Sequence, residues 1–422
     1  MKNTIYLKKG GTMKKNIWTL GMGLTILLSS CGQPDTETYL KKVIEKMETI
    51  QSVEFQCRHI AWDPYVEDPI FDLIYVHHEY SNPADTAFGS SYVWFVPDEG
   101  MRFEGGYDGN VKMTVYAEHK GVMIDDFSTN EHPFRPVGAF FNNVKNILNY
   151  ALETTDSIET TLIDEDSCYH FSITIHEDSQ VEFFGKAVHM PNEYLKKMAM
   201  DPTSHYEVWI RKSDNLPYKY YRKMAHSINS EECINPIYNK LSLADFNLYD
   251  YIPKDYEVRH KRPQDPKKQA NKVYALQDKP SPEWTLTDIH DNPVSLADIK
   301  SKVVLLNFTG IGCGACQVAI PFLKELKAKY SPEDFELIAI ESWSGKTASR
   351  KGYAEKKELN YQFLGATEEV LKEYKTGRAA PWFFLLDENH IVRKVFYGYS
   401  EERTSKEIKE AIETMLKTQS LH

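Results

Sequence analysis

The sequence predicts a two-domain protein, with a mainly antiparallel β domain at residues 32–262 and an α/β domain at 282–422. Three observations lead there. The chain has 422 residues, more than one hydrophobic core usually organises. Between Gln33 and Arg262, apolar and aromatic residues recur mostly at every second position, the period of half-buried strands. After Pro282, short apolar runs alternate with stretches of helical spacing, as in a sheet covered by helices. The net charge of −11 comes without a basic stripe, which argues against a nucleic-acid partner.

Residues 1–31 read as a leader. Lys14-Lys15 precede an apolar stretch at 17–27, and Leu28-Ser29-Ser30-Cys31 follow. A basic start, a short apolar core and small residues before the cut describe a secretory signal peptide. Met13 is read as the start, since residues 1–12 add nothing such a signal needs. The stretch is shorter than the ~20 residues that span a bilayer, which argues against a transmembrane anchor. Its end resembles a bacterial lipoprotein box. That resemblance implies lipidation of Cys31, a lipid anchor in a bacterial membrane and a folded part facing the periplasm. Disulfides persist in such a compartment.

The first domain opens with an amphipathic helix at 38–50, with Leu40, Val43, Ile44 and Met47 on one side. Strand patterns follow at 92–96, 111–117, 171–175, 206–211 and 218–224, rich in aromatic and β-branched residues. Asp98-Glu99-Gly100 and Asn215-Leu216-Pro217 read as turns. The adjacent His77-His78 point to opposite faces of a strand and make a poor chelate. His170 and His176 flank the 171–175 strand on its polar face, which reads as solvated. Cys57, Cys168 and Cys233 leave at least one thiol unpaired within the chain; one disulfide plus a free thiol, or three buried thiols, both fit. The opening helix, Tyr206-Glu207-Val208-Trp209-Ile210, Asn215-Leu216-Pro217, and Phe246 with Tyr251-Ile252-Pro253 resemble the periplasmic lipoprotein carriers (LolA-like). That resemblance implies a half-barrel wrapped around helices, holding acyl chains or another hydrophobic ligand. A plain aromatic core is the alternative. Residues 263–281, charged and proline-bearing, read as the linker.

In the second domain, 303–308 and 335–340 are short apolar runs suited to buried strands. Val318, Phe322, Leu323 and Leu326 share one helical face. Val370, Leu371 and Tyr374 mark a helix at 368–374, and Ile408, Ile412 and Met415 a closing helix at 405–417.

The chemistry-bearing motif is Cys313-Gly314-Ala315-Cys316, between the 303–308 run and a helical pattern. Two thiols at a strand-to-helix turn suit thiol–disulfide exchange. The first sulfur meets unpaired N–H groups and the positive end of the helix dipole, which stabilise its thiolate. The second resolves the mixed disulfide. Half of a zinc site would need two more ligands at comparable spacing. No cysteine follows Cys316, and His390 and His422 form no close pair, so no metal and no cofactor is expected. A purely structural disulfide is the remaining rival.

Around this motif, from Pro282 to the C-terminus, the sequence resembles the thioredoxin superfamily, in particular the membrane-tethered periplasmic thiol–disulfide reductases of the TlpA type. Pro282-Glu283-Trp284-Thr285-Leu286, Pro293-Val294-Ser295-Leu296 and Lys302-Val303-Val304-Leu305 match that family's opening hairpin and first core strand. Pro321 matches the proline of its active-site helix. Ala380-Pro381 match its cis-proline, which lies against the two cysteines and helps to form the substrate groove, together with Gly312. Four positions depart from the family. Gly314-Ala315 replace the more usual Gly-Pro or Glu-Pro, and Gly312 stands where an aromatic residue commonly precedes the first cysteine. Asn307 and Ala319 stand where carboxylates are common. Glu341 is read either as a substitute proton acceptor or as a solvated strand-end residue.

The resulting expectation is a membrane-anchored extracytoplasmic thiol–disulfide oxidoreductase, working as a reductase. Its expected partners are client proteins with disulfides and a membrane thiol donor. The alternative is a hydrophobic-ligand or partner-binding lipoprotein whose thioredoxin-like domain is an accessory redox sensor.

Overall fold

The computed structural model describes residues 34–62, 64, 69–97, 100–117, 120–129, 134–190, 201–225, 227–262, 273–343 and 345–419. The leader with Cys31, residues 263–272 of the expected linker, the Asp98-Glu99 pair and His422 lie outside them.

Helix α1 (Thr36–Glu48) starts where Asp35 accepts the Thr38 N–H at 3.0 Å, satisfying one of the unpaired donors of the first turn. Its buried stripe is Tyr39, Leu40, Val43, Ile44 and Met47. A meander follows: β1 (Ser52–Trp62), β2 (Pro69–Ser81), β3 (Ser90–Val96), β4 (Arg102–Tyr107), β5 (Lys112–Tyr116) and β6 (Gly121–Asp125). After helix α2 (Phe140–Glu153) come β7 (Ile158–Asp164), β8 (Cys168–Ile175), β9 (Val181–Phe183), β10 (Ala187–His189), β11 (Ser204–Arg211), β12 (Pro217–Met224), β13 (Ser227–Tyr238) and β14 (Glu257–His260). Twelve of these strands form one sheet in the order β14-β6-β5-β4-β3-β2-β1-β13-β12-β11-β8-β7. Every pairing in it is antiparallel except β14 on β6.

Side chains of α1 and α2 share one apolar core with β1, β7, β8, β11, β12 and β13. Alternation explains the sheet: on β8, Phe171, Ile173 and Ile175 are buried while Ser172 and Thr174 are half-buried. Asn215 adopts φ +56° in the turn between β11 and β12, a left-handed conformation that asparagine tolerates. His77 and His78 do diverge, His77 towards Phe55 and His78 towards Phe95. His170 corrects the expected solvated face: it is half-buried, stacked on Trp209 at 4.3 Å, with Nε2 2.6 Å from Glu207. His176 is exposed.

The second sheet has seven strands in the order β16-β15-β19-β18-β17-β20-β21. They are β15 (Thr285–Thr287), β16 (Pro293–Ser295), β17 (Val303–Thr309), β18 (Phe335–Glu341), β19 (Gln362–Gly365), β20 (Trp382–Asp387) and β21 (Val392–Tyr397). Between or after them run α3 (Gly314–Lys329), α4 (Thr347–Lys356), α5 (Glu368–Glu373) and α6 (Thr404–Gln419). Strands β17, β18 and β19 are parallel, and β20 and β21 are antiparallel to their neighbours. All seven residues of β17 are buried, because both faces are covered. Val304, Leu306 and Phe308 meet the cluster that contains α5. Val303 and Leu305 meet the opposite one, with α3 and α6.

Part of the expected linker belongs to this core. Val273 and Leu276 are buried in it. Asp278 N–H donates to Val392 O at 2.7 Å, and Ser281 N–H to His390 O at 2.8 Å. The 273–281 stretch therefore docks beside residues 390–392, where β21 begins.

Candidate active site

The site forms where β17 ends. The apolar run stops at Thr309, and Gly310, Ile311 and Gly312 carry the chain to α3. Gly312 sits at φ +86° with open space around its missing Cβ. Glycine is required there by backbone conformation, not by crowding. Cys313 is the N-cap of α3, and its Sγ accepts the Cys316 N–H at 3.3 Å. The two cysteines are joined in a disulfide with Cα atoms 5.2 Å apart, so the structure shows the oxidised form. Both are nearly enclosed, at 6% and 3% exposure.

Ala380 and Pro381 come from the segment before β20. The Ala380–Pro381 peptide bond is cis, and Cys313 Sγ lies 3.8 Å from Ala380 O. Pairing of β20 with β17 sets this meeting: Phe308 faces Trp382 across the ladder. Cys313, Cys316, Gly312, Ala380 and Pro381 are thus gathered at one end of the sheet. Pro321 lies within α3, which runs unbroken through it.

Asn307 is buried and its side-chain amide donates to Trp382 O at 3.3 Å. A carboxylate there would have no proton to give that carbonyl. Ala319 is fully buried in the apolar cluster between α3 and the sheet. Neither position offers a proton acceptor.

Glu341 corrects the solvated strand-end reading. It is 1% exposed at the end of β18. Its Oε2 accepts the Ile311 N–H at 2.8 Å, and its Oε1 accepts the Trp343 N–H at 2.7 Å. Burial lowers the pKa of the Arg350 guanidinium, and the negative charges of Asp291, Glu341 and Asp288 oppose that shift. A buried carboxylate with two backbone donors and a nearby cation is a fixed strut for the loop before Cys313.

Trp343 was not singled out by the sequence. Its indole N–H donates to Arg378 O at 2.7 Å. Its ring lies on Gly310, where a Cβ would fall 2.4 Å from the ring. It thereby bridges the dithiol loop and the segment leading to Pro381, and stays 40% exposed. The available signal was position: residues just past the carboxyl ends of parallel strands line the sites of open α/β sheets.

A family profile described as Redoxin matches residues 276–412. The thiol-disulfide oxidoreductase ResA of Geobacillus kaustophilus is 30% identical over 119 residues, covering 28% of this chain and 67% of that protein. ResA of Geobacillus thermodenitrificans is 29% identical over 136 residues, covering 32% of this chain and 75% of that protein. Among solved structures, a putative thiol:disulfide interchange protein DsbE from Chlorobium tepidum aligns with a TM-score of 0.31 and 21% identity, over 33% of this chain and 97% of that one. The chain belongs, through its C-terminal domain, to the TlpA-type thiol–disulfide oxidoreductases of the thioredoxin superfamily, and is an enzyme of that class.

Proposed function

We propose that this enzyme is a lipid-anchored, periplasm-facing reductase of protein disulfides, with Cys313 as the attacking thiol and Cys316 as the resolving one. The observation that carries the reading is the placement of Cys313. Its sulfur caps α3, receives the Cys316 N–H, and lies against the carbonyl that precedes cis-Pro381. A helix N-terminus favours the thiolate over the thiol.

In the reduced enzyme the Cys313 thiolate attacks one sulfur of a client disulfide. The client S–S bond breaks, and a mixed disulfide and a client thiolate result. Cys316 then attacks Cys313 Sγ, releasing the second client sulfur. The proton that Cys316 loses is taken up by the first released thiolate. Two electrons pass from the enzyme dithiol to the client, leaving the Cys313–Cys316 disulfide. A membrane thiol donor restores the dithiol by the reverse exchange. Glu341 is a positioning residue in this scheme: its two oxygens accept the Ile311 and Trp343 N–H groups and fix the loop before Cys313. Trp343 offers the client an aromatic surface in the region where an aromatic next to the first cysteine is more usual. Lipidation of Cys31 holds the enzyme at the membrane. The domain division is 32–262 and a second unit that begins near Val273.

The test is reduction of a small-molecule disulfide by the prereduced chain. Cys313→Ser should abolish it, and Cys316→Ser should accumulate the mixed disulfide. Full activity in Cys313→Ser would overturn the assignment. Loss of membrane association in Cys31→Ala checks the anchor separately.

A further inference from the structure

Three cysteines lie in the first domain, and their positions in the sheet separate them. Cys57 on β1 and Cys233 on β13 are direct partners across an antiparallel ladder. Cys168 lies on β8, near Glu165 and the Tyr218 hydroxyl. Cys57 and Cys233 are 1% and 4% exposed and belong to the same apolar cluster, so both point to the core face.

The ladder also defines which kind of pair they make. At the start of β1, Gln51 O accepts from Ser81 on the β2 side, and Ser52 O accepts from Asn239 on the β13 side. Successive residues of a strand direct their backbone groups to alternate neighbours. The β1–β2 register runs without a shift from Ser52 to Ala61. Odd-numbered residues of this stretch therefore bond towards β2, and Cys57 is one of them. Cys57 and Cys233 are a non-hydrogen-bonded pair, the kind whose Cα atoms approach to about 4.5 Å. That falls in the window of roughly 4.4–6.8 Å that a disulfide spans.

We propose that Cys57 and Cys233 are a site of cross-strand disulfide formation that staples the two halves of the twelve-stranded sheet. The β1–β13 pairing is the seam between β2–β6 on one side and β12, β11, β8 and β7 on the other. The bond closes a loop that contains α2 and most of the sheet. Both sulfurs are unbonded in the structure. The oxidant is a disulfide: the two thiols give up two electrons and two protons, and glutathione disulfide becomes two glutathione thiols. Burial pushes both thiols well above the usual cysteine range, which suppresses the thiolates in the folded state. Both sulfurs are enclosed in the folded core, so the oxidant reaches them as the sheet assembles, before the seam closes. Cys168 remains free. None of this depends on how Cys313 and Cys316 react.

The test refolds the reduced full chain in a glutathione redox buffer, quenches with acid, alkylates free thiols and maps the soluble product by mass spectrometry. The expected result is a linked Cys57–Cys233 peptide pair, two hydrogens lighter than the separate peptides, with Cys168 alkylated. Alkylated Cys57 and Cys233 in a chain whose Cys313–Cys316 bond has formed would overturn the proposal, as would a bond from Cys168 to either. A second measurement uses the Cys313→Ser/Cys316→Ser background. There, reductant should lower the melting temperature of the refolded chain, and adding Cys57→Ala/Cys233→Ala should remove that response. An unchanged melting temperature under reductant counts against the staple.

Discussion

Glu341 shows how one carboxylate fixes the loop before Cys313, through the Ile311 and Trp343 N–H groups. Replacing it by alanine leaves the part-buried N–H groups of Ile311 and Trp343 without these acceptors, at about 1 kcal/mol of stability. We expect Glu341→Ala to lower kcat/KM for disulfide reduction about tenfold, with Glu341→Gln in between, since an amide keeps one acceptor oxygen and turns a donor towards the other N–H. Stopped-flow reduction of a small-molecule disulfide by each prereduced variant measures this. Trp343 acts on a different quantity. Trp343→Ala should raise KM for a protein disulfide several-fold and leave turnover of a small-molecule disulfide nearly unchanged, since in the proposed scheme the ring meets client surface rather than sulfur. Equal losses on both substrates would refute that role. Gly312→Ala isolates a backbone effect: space is free, but φ +86° disfavours any Cβ by about 1–2 kcal/mol. Thermal unfolding should register that loss.

At the level of elements, α2 is held at its start by a partner from another strand. Ala139 gives its first turn no side-chain cap. Glu79 of β2 supplies one, accepting the Phe141 N–H at 3.0 Å and the Asn142 N–H at 2.9 Å. Burial is the main reason that the Glu79 carboxyl is pushed up to about 7. Its pKa is higher folded than unfolded, so the folded state binds the proton more tightly. The stability it contributes is fully present below about pH 4.5 and is lost as pH rises through about 7. We expect Glu79→Gln to remove a pH-dependent difference of up to about 3 kcal/mol, read from urea unfolding of parent and variant across that range. The helices and strands named from periodicity alone are found within a few residues of their expected places, 38–50 at Thr36–Glu48 and 405–417 at Thr404–Gln419. Periodicity reports which face is buried, and burial drives these elements. It does not report what caps α2.

For the whole molecule, the docking of residues 273–281 predicts that an independently folding catalytic unit begins at Val273. A chain starting at Val273 should fold and keep dithiol activity. A chain starting at Pro282 loses Val273 and Leu276 from the core, each contributing about 1.5–3 kcal/mol when fully buried. It should melt at a markedly lower temperature, as circular dichroism of both fragments would show. In the N-terminal stretch, one face of the twelve-stranded sheet is covered by the side chains of α1 and α2. Phe140, Phe141, Val144 and Ile147 pack there against Phe55, Tyr206 and Tyr220.

The oxidoreductase class of the C-terminal stretch and the strand-rich character of the N-terminal one were legible in the chain by itself. The Cys313–Cys316 spacing, the strand before it, Pro381 and the alternation of Phe171, Ile173 and Ile175 are local features, and local patterns survive in a linear reading. Tertiary structure decided what long-range pairing brings together: Glu341 and Trp343 beside the dithiol loop, Glu79 beneath α2, and Cys57 opposite Cys233. Each of these depends on strand order and register. Register in turn follows from which side chains a shared core accepts, a collective property of the sheet that no single segment carries.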